Sequence, residues 1–80
     1  MVTIKVLGSG CANCKRLEQI AAKVVDSLGI EAYIEKVTDF QKIMDYGIMS
    51  TPGLVINEKV VSYGRIPSEA EINTWLKEIA

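Results

Sequence analysis

The feature that most constrains this chain is a change of hydrophobic period at Gly8. Before it, Val2 to Leu7 alternate and are rich in β-branched residues, as a strand is, and Gly8-Ser9-Gly10 interrupts them. After it, Leu17, Ile20, Ala21, Val24, Val25 and Leu28 recur at the three- and four-residue spacing of one helical face, with Gly29 as a stop. Glu31 to Val37 then alternates charged with apolar residues, which suits a strand at the edge of a sheet. Strand, helix and strand in that order predict a parallel β-α-β unit with a right-handed crossover. The chain is therefore committed early to an α/β architecture.

The remainder extends that unit. Thr38 with Gln41 is a capping-box pattern ahead of a short helix carrying Phe40, Ile43 and Met44, which Tyr46-Gly47 ends. Gly53 to Asn57 and Lys59 to Tyr63 read as two antiparallel strands joined tightly around Asn57-Glu58. Ser68 with Glu71 is a second capping box, and the helix it opens has Ile72, Trp75, Leu76 and Ile79 on its apolar face. The order is β-α-β-α-β-β-α. It predicts a four-stranded mixed sheet with helices on both faces, the first and last on one side and the short middle helix on the other. Residues 1–80 are expected to form one domain, since 80 residues is close to the smallest size at which a single core stabilises itself.

The chemistry is concentrated at Cys11 and Cys14, the two cysteines of the chain. A bridge between them closes a loop too short to stabilise much through chain entropy. They are poorly placed as a structural staple. The chain has no histidine, which excludes Ser-His and Cys-His nucleophile pairs and every His-ligated metal site. Two cysteines do not complete a four-ligand zinc site within one chain. The apolar face of the first helix, extended backwards, reaches Cys14 but not Cys11, which falls at the helix mouth. There the helix dipole and free backbone N–H groups favour a thiolate, and Lys15 and Arg16 add positive charge one turn away. These features predict Cys11 as nucleophile and Cys14, shielded one turn in, as the thiol that resolves a mixed disulfide.

Composition narrows the setting. The net charge is −1 and no basic stripe marks a nucleic-acid partner. No apolar run reaches membrane-spanning length, and the first residues alternate like a strand instead of following a signal-peptide layout. The expectation is a cytoplasmic monomer. In a reducing compartment a lone cysteine pair is more often catalytic or metal-binding than structural.

Three segments are similar to the thioredoxin superfamily. One is the strand and loop leading to Cys11-Ala12-Asn13-Cys14-Lys15 at the head of a helix. The second is Tyr46 to Asn57, YGIMSTPGLVIN. The third is VVSYGRIPSEAEINTWL, with a glycine after the last strand and a final helix. At this length the domain is expected to lack the extra N-terminal strand and helix of a full thioredoxin. The chain resembles the small thioredoxin-like and glutaredoxin-like redox-active disulfide proteins. The resemblance implies a minimal thioredoxin fold and thiol–disulfide exchange on protein disulfides, with the redox-active disulfide in place of any cofactor. It also implies a flavoenzyme related to thioredoxin reductase as reductant. Pro52 is implied to be cis, Thr51 to offer backbone groups to an extended substrate, and Gly64 to border the same groove. The chain departs from the family at several points. Ala12-Asn13 replaces Gly-Pro, Lys5 stands at the spacing of the family's buried aspartate, and Gly64-Arg65 replaces the Gly-Gly-Asp/Ser glutathione cap.

Two alternatives use the same cysteines or groove. A soft-metal module would hold Cu(I), or a cluster bridged between chains, on the two thiolates. The stretch resembles the Gly-Met-x-Cys-x-x-Cys loop of such modules, although Ser9 stands at the methionine position and those domains run β-α-β-β-α-β. A redox-inert interaction module is the other. Four further side chains leave open readings. Met49 lines the groove or fills a core gap. Lys5 is an exposed strand residue or sits beneath the cysteines. Tyr63 is a candidate for the groove border. Arg65, with Lys15, hints at acidic partners.

Overall fold

The computed structural model describes residues 2–8 and 12–79, the side chain of Ile79 excepted. Its elements are β1 (Val2–Leu7), α1 (Ala12–Leu28), β2 (Ala32–Val37), α2 (Phe40–Asp45), β3 (Gly53–Ile56), β4 (Lys59–Tyr63) and α3 (Glu69–Ile79). They build one mixed sheet of order β2-β1-β3-β4. β1 and β2 run parallel, from Val2 against Ala32 to Leu7 against Val37. β3 is antiparallel to β1, and β4 is antiparallel to β3. β2 lies at an edge, in keeping with its alternating charge.

Strand alternation divides the core in two. Val2, Ile4 and Val6 of β1 and Leu54 and Ile56 of β3 cluster with Leu17, Ala21 and Val24 of α1 and Ile72 and Leu76 of α3. Leu7, Val37 and Val55 cluster instead with Ile43 of α2 and with Ile48. The long helices thus cover one face and the short helix the other. Trp75 packs against the first cluster, as its place on the apolar stripe implied. Leu17, Ile72 and Leu76 are wholly buried. Each such side chain contributes about 1.5–3 kcal/mol relative to an exposed position, a large fraction of the ~5–15 kcal/mol that a domain retains.

The helix ends follow local chemistry, with one difference from expectation. α3 opens on a reciprocal capping box: Glu71 N–H donates to Ser68 Oγ at 3.2 Å and Ser68 N–H to Glu71 Oε1 at 3.2 Å. At α2 the cap is Asp39, not Thr38. The Asp39 carboxylate accepts from Gln41 N–H at 2.9 Å. An aspartate one residue nearer the helix meets the second free amide, so the Thr38–Gln41 box does not form. Six residues are too few to hold a helix alone. α2 persists because Ile43 and the following Ile48 are buried against the sheet.

The hairpin turns at Asn57 (φ 50°) and Glu58 (φ 67°), the two left-handed residues of a tight type I′ connection. Asn57 suits that conformation, and it is tied to β1 by its N–H to Thr3 O at 2.8 Å and its Oδ1 from Thr3 N–H at 3.0 Å. Glycine is the usual second residue, and Glu58 keeps its strained backbone while pairing with Lys5.

Candidate active site

β1 ends where α1 begins, and the site is built at that end of the sheet. Gly8 N–H donates to Val37 O at 2.9 Å, which closes the β1–β2 pairing. Cys14 lies in the first turn of α1, buried at 5% exposure and disulfide-bonded. Its burial follows from the stripe it shares with Leu17, Ala21 and Val24. The first turn carries no acidic residue. Lys15 and Arg16 are exposed beside it, so the positive end of the helix is reinforced and not neutralised. Cys11 and the preceding Ser9-Gly10 lie outside the described residues.

The loop before β3 closes the other side. The Thr51–Pro52 peptide is cis. Thr51 is exposed and Pro52 buried. Gly64, just after β4, donates its N–H to Pro52 O at 3.0 Å. A Cβ built on Gly64 would stand 2.6 Å from Ser50 Oγ. A Cβ on Gly8 would collide with Cys14 Sγ and stand 3.8 Å from Thr51 Cβ. Of the residues singled out in the sequence, Cys14 and Thr51 therefore meet at Gly8, which reads there only as a loop signal, and Pro52 and Gly64 are joined to Thr51's loop by their own backbone bond. The hint available in the sequence was a glycine at a strand end next to a cysteine pair, a place where close backbone approach excludes a side chain.

The open side chains also find their places. Met49 is 96% exposed, which removes the core-filler reading. With Phe40 and Met44, also exposed, it rims a cavity of about 280 Å³ that reaches Thr51. Tyr63 ends β4 opposite Gly53 and is exposed. Arg65 makes a bidentate pair with Glu71, at 3.0 and 2.7 Å, so its charge is already matched within the chain.

Lys5 fits neither reading given above. Its register pairs it with Val55, on the face that α2 covers. Its ammonium pairs with Glu58 and donates to the Tyr46 hydroxyl at 3.0 Å, and that hydroxyl donates to Glu58 Oε2 at 3.1 Å. The Glu58 carboxylate, followed by Tyr46, raises the Lys5 pKa above the ordinary lysine range. The same contact with Lys5 lowers that of Glu58. A cavity of about 430 Å³ lies around this cluster, and neither Cys14, Thr51, Pro52 nor Gly64 lines it. Among the described residues no cluster of three or more Cys, His, Asp or Glu is placed to hold a metal. No described helix is long and apolar enough to cross a membrane.

A four-stranded mixed sheet with a cysteine at the head of its first helix, facing a cis-proline loop, defines a class of small α/β domains built for sulfur chemistry. Comparison with known proteins narrows the class. Residues 2–77 match the family model described as a thioredoxin domain. A thioredoxin of Methanothermobacter thermautotrophicus is 39% identical over 76 residues, covering 95% of this chain and 99% of that protein. A thioredoxin of Methanocaldococcus jannaschii is 40% identical over 77 residues, covering 96% and 88%. The crystal structure of the germline-specific thioredoxin Deadhead of Drosophila melanogaster superposes with a TM-score of 0.68 over 99% of this chain and 81% of its own, at 14% identity. That likeness bears on the fold alone. The chain belongs to the thioredoxin family, a family of thiol–disulfide oxidoreductases. None of these matches supports the soft-metal alternative.

Proposed function

We propose that this protein reduces disulfides in other proteins through Cys11 and Cys14. The observation that carries the reading is the burial of a disulfide-bonded Cys14 in the first turn of α1, with Thr51 beside it. Cys11 is the residue before Ala12, where α1 starts. A thiolate there is favoured by the helix dipole, which Lys15 and Arg16 reinforce. The Cys11 thiolate attacks one sulfur of the substrate disulfide. The substrate S–S bond breaks, and the departing thiolate takes a proton. The Cys14 thiolate then attacks Cys11 Sγ in the mixed disulfide and releases the second substrate thiol. Two electrons pass to the substrate and the Cys11–Cys14 pair becomes a disulfide. No metal or organic cofactor is required. Regeneration takes two electrons from a flavoenzyme of the thioredoxin-reductase kind, and the cytoplasm is the compartment proposed.

The substrate chain is assigned to the surface formed by Thr51, Pro52 and Gly64. The Gly64–Pro52 backbone bond and the approach of Thr51 and Cys14 to the same point at Gly8 support that choice. The exposed Met49 continues the surface on the α2 side. The working unit is taken to be a monomer. Turnover of an oxidised protein substrate tests the reading. Cys11→Ser is expected to abolish it. Cys14→Ser is expected to accumulate a mixed disulfide that maps to Cys11. Turnover surviving in Cys11→Ser would overturn the assignment.

A further inference from the structure

We infer that Gly8 is a positioning residue that sets the reduction potential of the cysteine pair by leaving the Cys14 sulfur its seat. The inference rests on the redox reading above. Three observations carry it. Gly8 is buried at the junction of β1 and the loop to α1. Its N–H is fixed to Val37 O at 2.9 Å, so its backbone cannot retreat without opening the β1–β2 ladder. The atom nearest a Cβ built there is Cys14 Sγ, in direct collision, and the next side chain beyond Cys14 is Thr51, at 3.8 Å. Strand end, sulfur and substrate loop meet at one point where only a hydrogen fits.

The penalty of filling that point differs between redox states. In the disulfide, Cys14 Sγ is tethered and cannot leave its place. On reduction the pair takes up two electrons and two protons and the S–S bond breaks. The freed Cys14 thiol can then turn about χ1 into the other staggered well open to a helical side chain. A methyl on Gly8 therefore disfavours the oxidised form more than the reduced one. A residue needed only for folding would disfavour both alike.

The test is the exchange equilibrium with dithiothreitol, read by rapid alkylation and mass, in the full chain and in Gly8→Ala. The variant is expected to shift the equilibrium at least about tenfold towards the reduced form, which is ~30 mV more oxidising. An unchanged constant, with the parent titrating reversibly, would overturn the inference and leave the redox reading standing. A parent that forms no reversible disulfide would instead overturn that reading, and the inference with it. Thermal melts of Gly8→Ala with and without Cys14→Ala guard against a variant that does not fold. Removing the sulfur is expected to restore the stability that the methyl costs. Equal destabilisation in both backgrounds would show that Gly8 is not there for the sulfur.

Discussion

Replacing Gly64 by alanine probes the contact that joins the end of β4 to the cis-proline loop. Gly64 sits at φ 76°, a conformation that costs an L-residue about 1–2 kcal/mol. Its new methyl would also stand 2.6 Å from Ser50 Oγ. Ser50 is exposed, so its hydroxyl can rotate into water and relieve most of that overlap. The backbone is thus expected to dominate, with a loss of about 1–2 kcal/mol. For a domain of this length each kcal/mol lowers the melting temperature by roughly 4–8 °C, so Gly64→Ala should melt about 4–16 °C below the parent. Thermal unfolding followed by circular dichroism reads it. Adding Ser50→Ala should recover only a small part. A melting temperature within about 2 °C of the parent would refute the argument from the backbone. Full recovery on adding Ser50→Ala would assign the cost to the hydroxyl instead.

The reassigned cap of α2 has its own contrast: Asp39→Ala should cost about 0.5–2 kcal/mol in urea denaturation, while Thr38→Ala should stay within about 0.5 kcal/mol of the parent. Equal losses would restore Thr38 as the cap. At α3, the bidentate bond from Arg65 and then the Ser68 backbone N–H hold the Glu71 carboxyl down to about 2. A carboxyl so depressed adds stability that is present above its unfolded value, near 4.5, and is lost as the pH falls towards about 2. Glu71→Gln should therefore flatten the acid limb of stability across that window. An unaltered slope would place the acid sensitivity elsewhere.

Much of the fold is legible in the sequence because period and punctuation agree. The β-branched run of β1, the helical stripe from Leu17 to Leu28 and the Ser68–Glu71 box each specify an element locally, and tertiary packing does not override them. The cap of α2 is not decided by the sequence, because Thr38 and Asp39 are adjacent and both suit the role. Only the path of the backbone decides which side chain meets the amide of Gln41. Lys5 was harder still. Its partners, Tyr46 and Glu58, lie far away in sequence, and one of them occupies a left-handed turn position where glycine is the usual residue. Gly8 was visible only as a break. Its close approach to Cys14 depends on how β1 and α1 meet, which no local pattern encodes. The convergence of Thr51, Pro52 and Gly64 was given by family resemblance, and residue spacing alone did not imply it.

The most direct measurement is a redox titration of the unmodified protein in dithiothreitol buffers, with rapid alkylation and mass analysis of the trapped thiols. Thiol–disulfide exchange through Cys11 and Cys14 requires a single reversible two-electron transition, with Cys11 alkylated first at mildly acidic pH. If no intramolecular disulfide forms at any buffer ratio the redox assignment is contradicted, and if both thiols resist alkylation until a chelator is added the two cysteines belong to a metal.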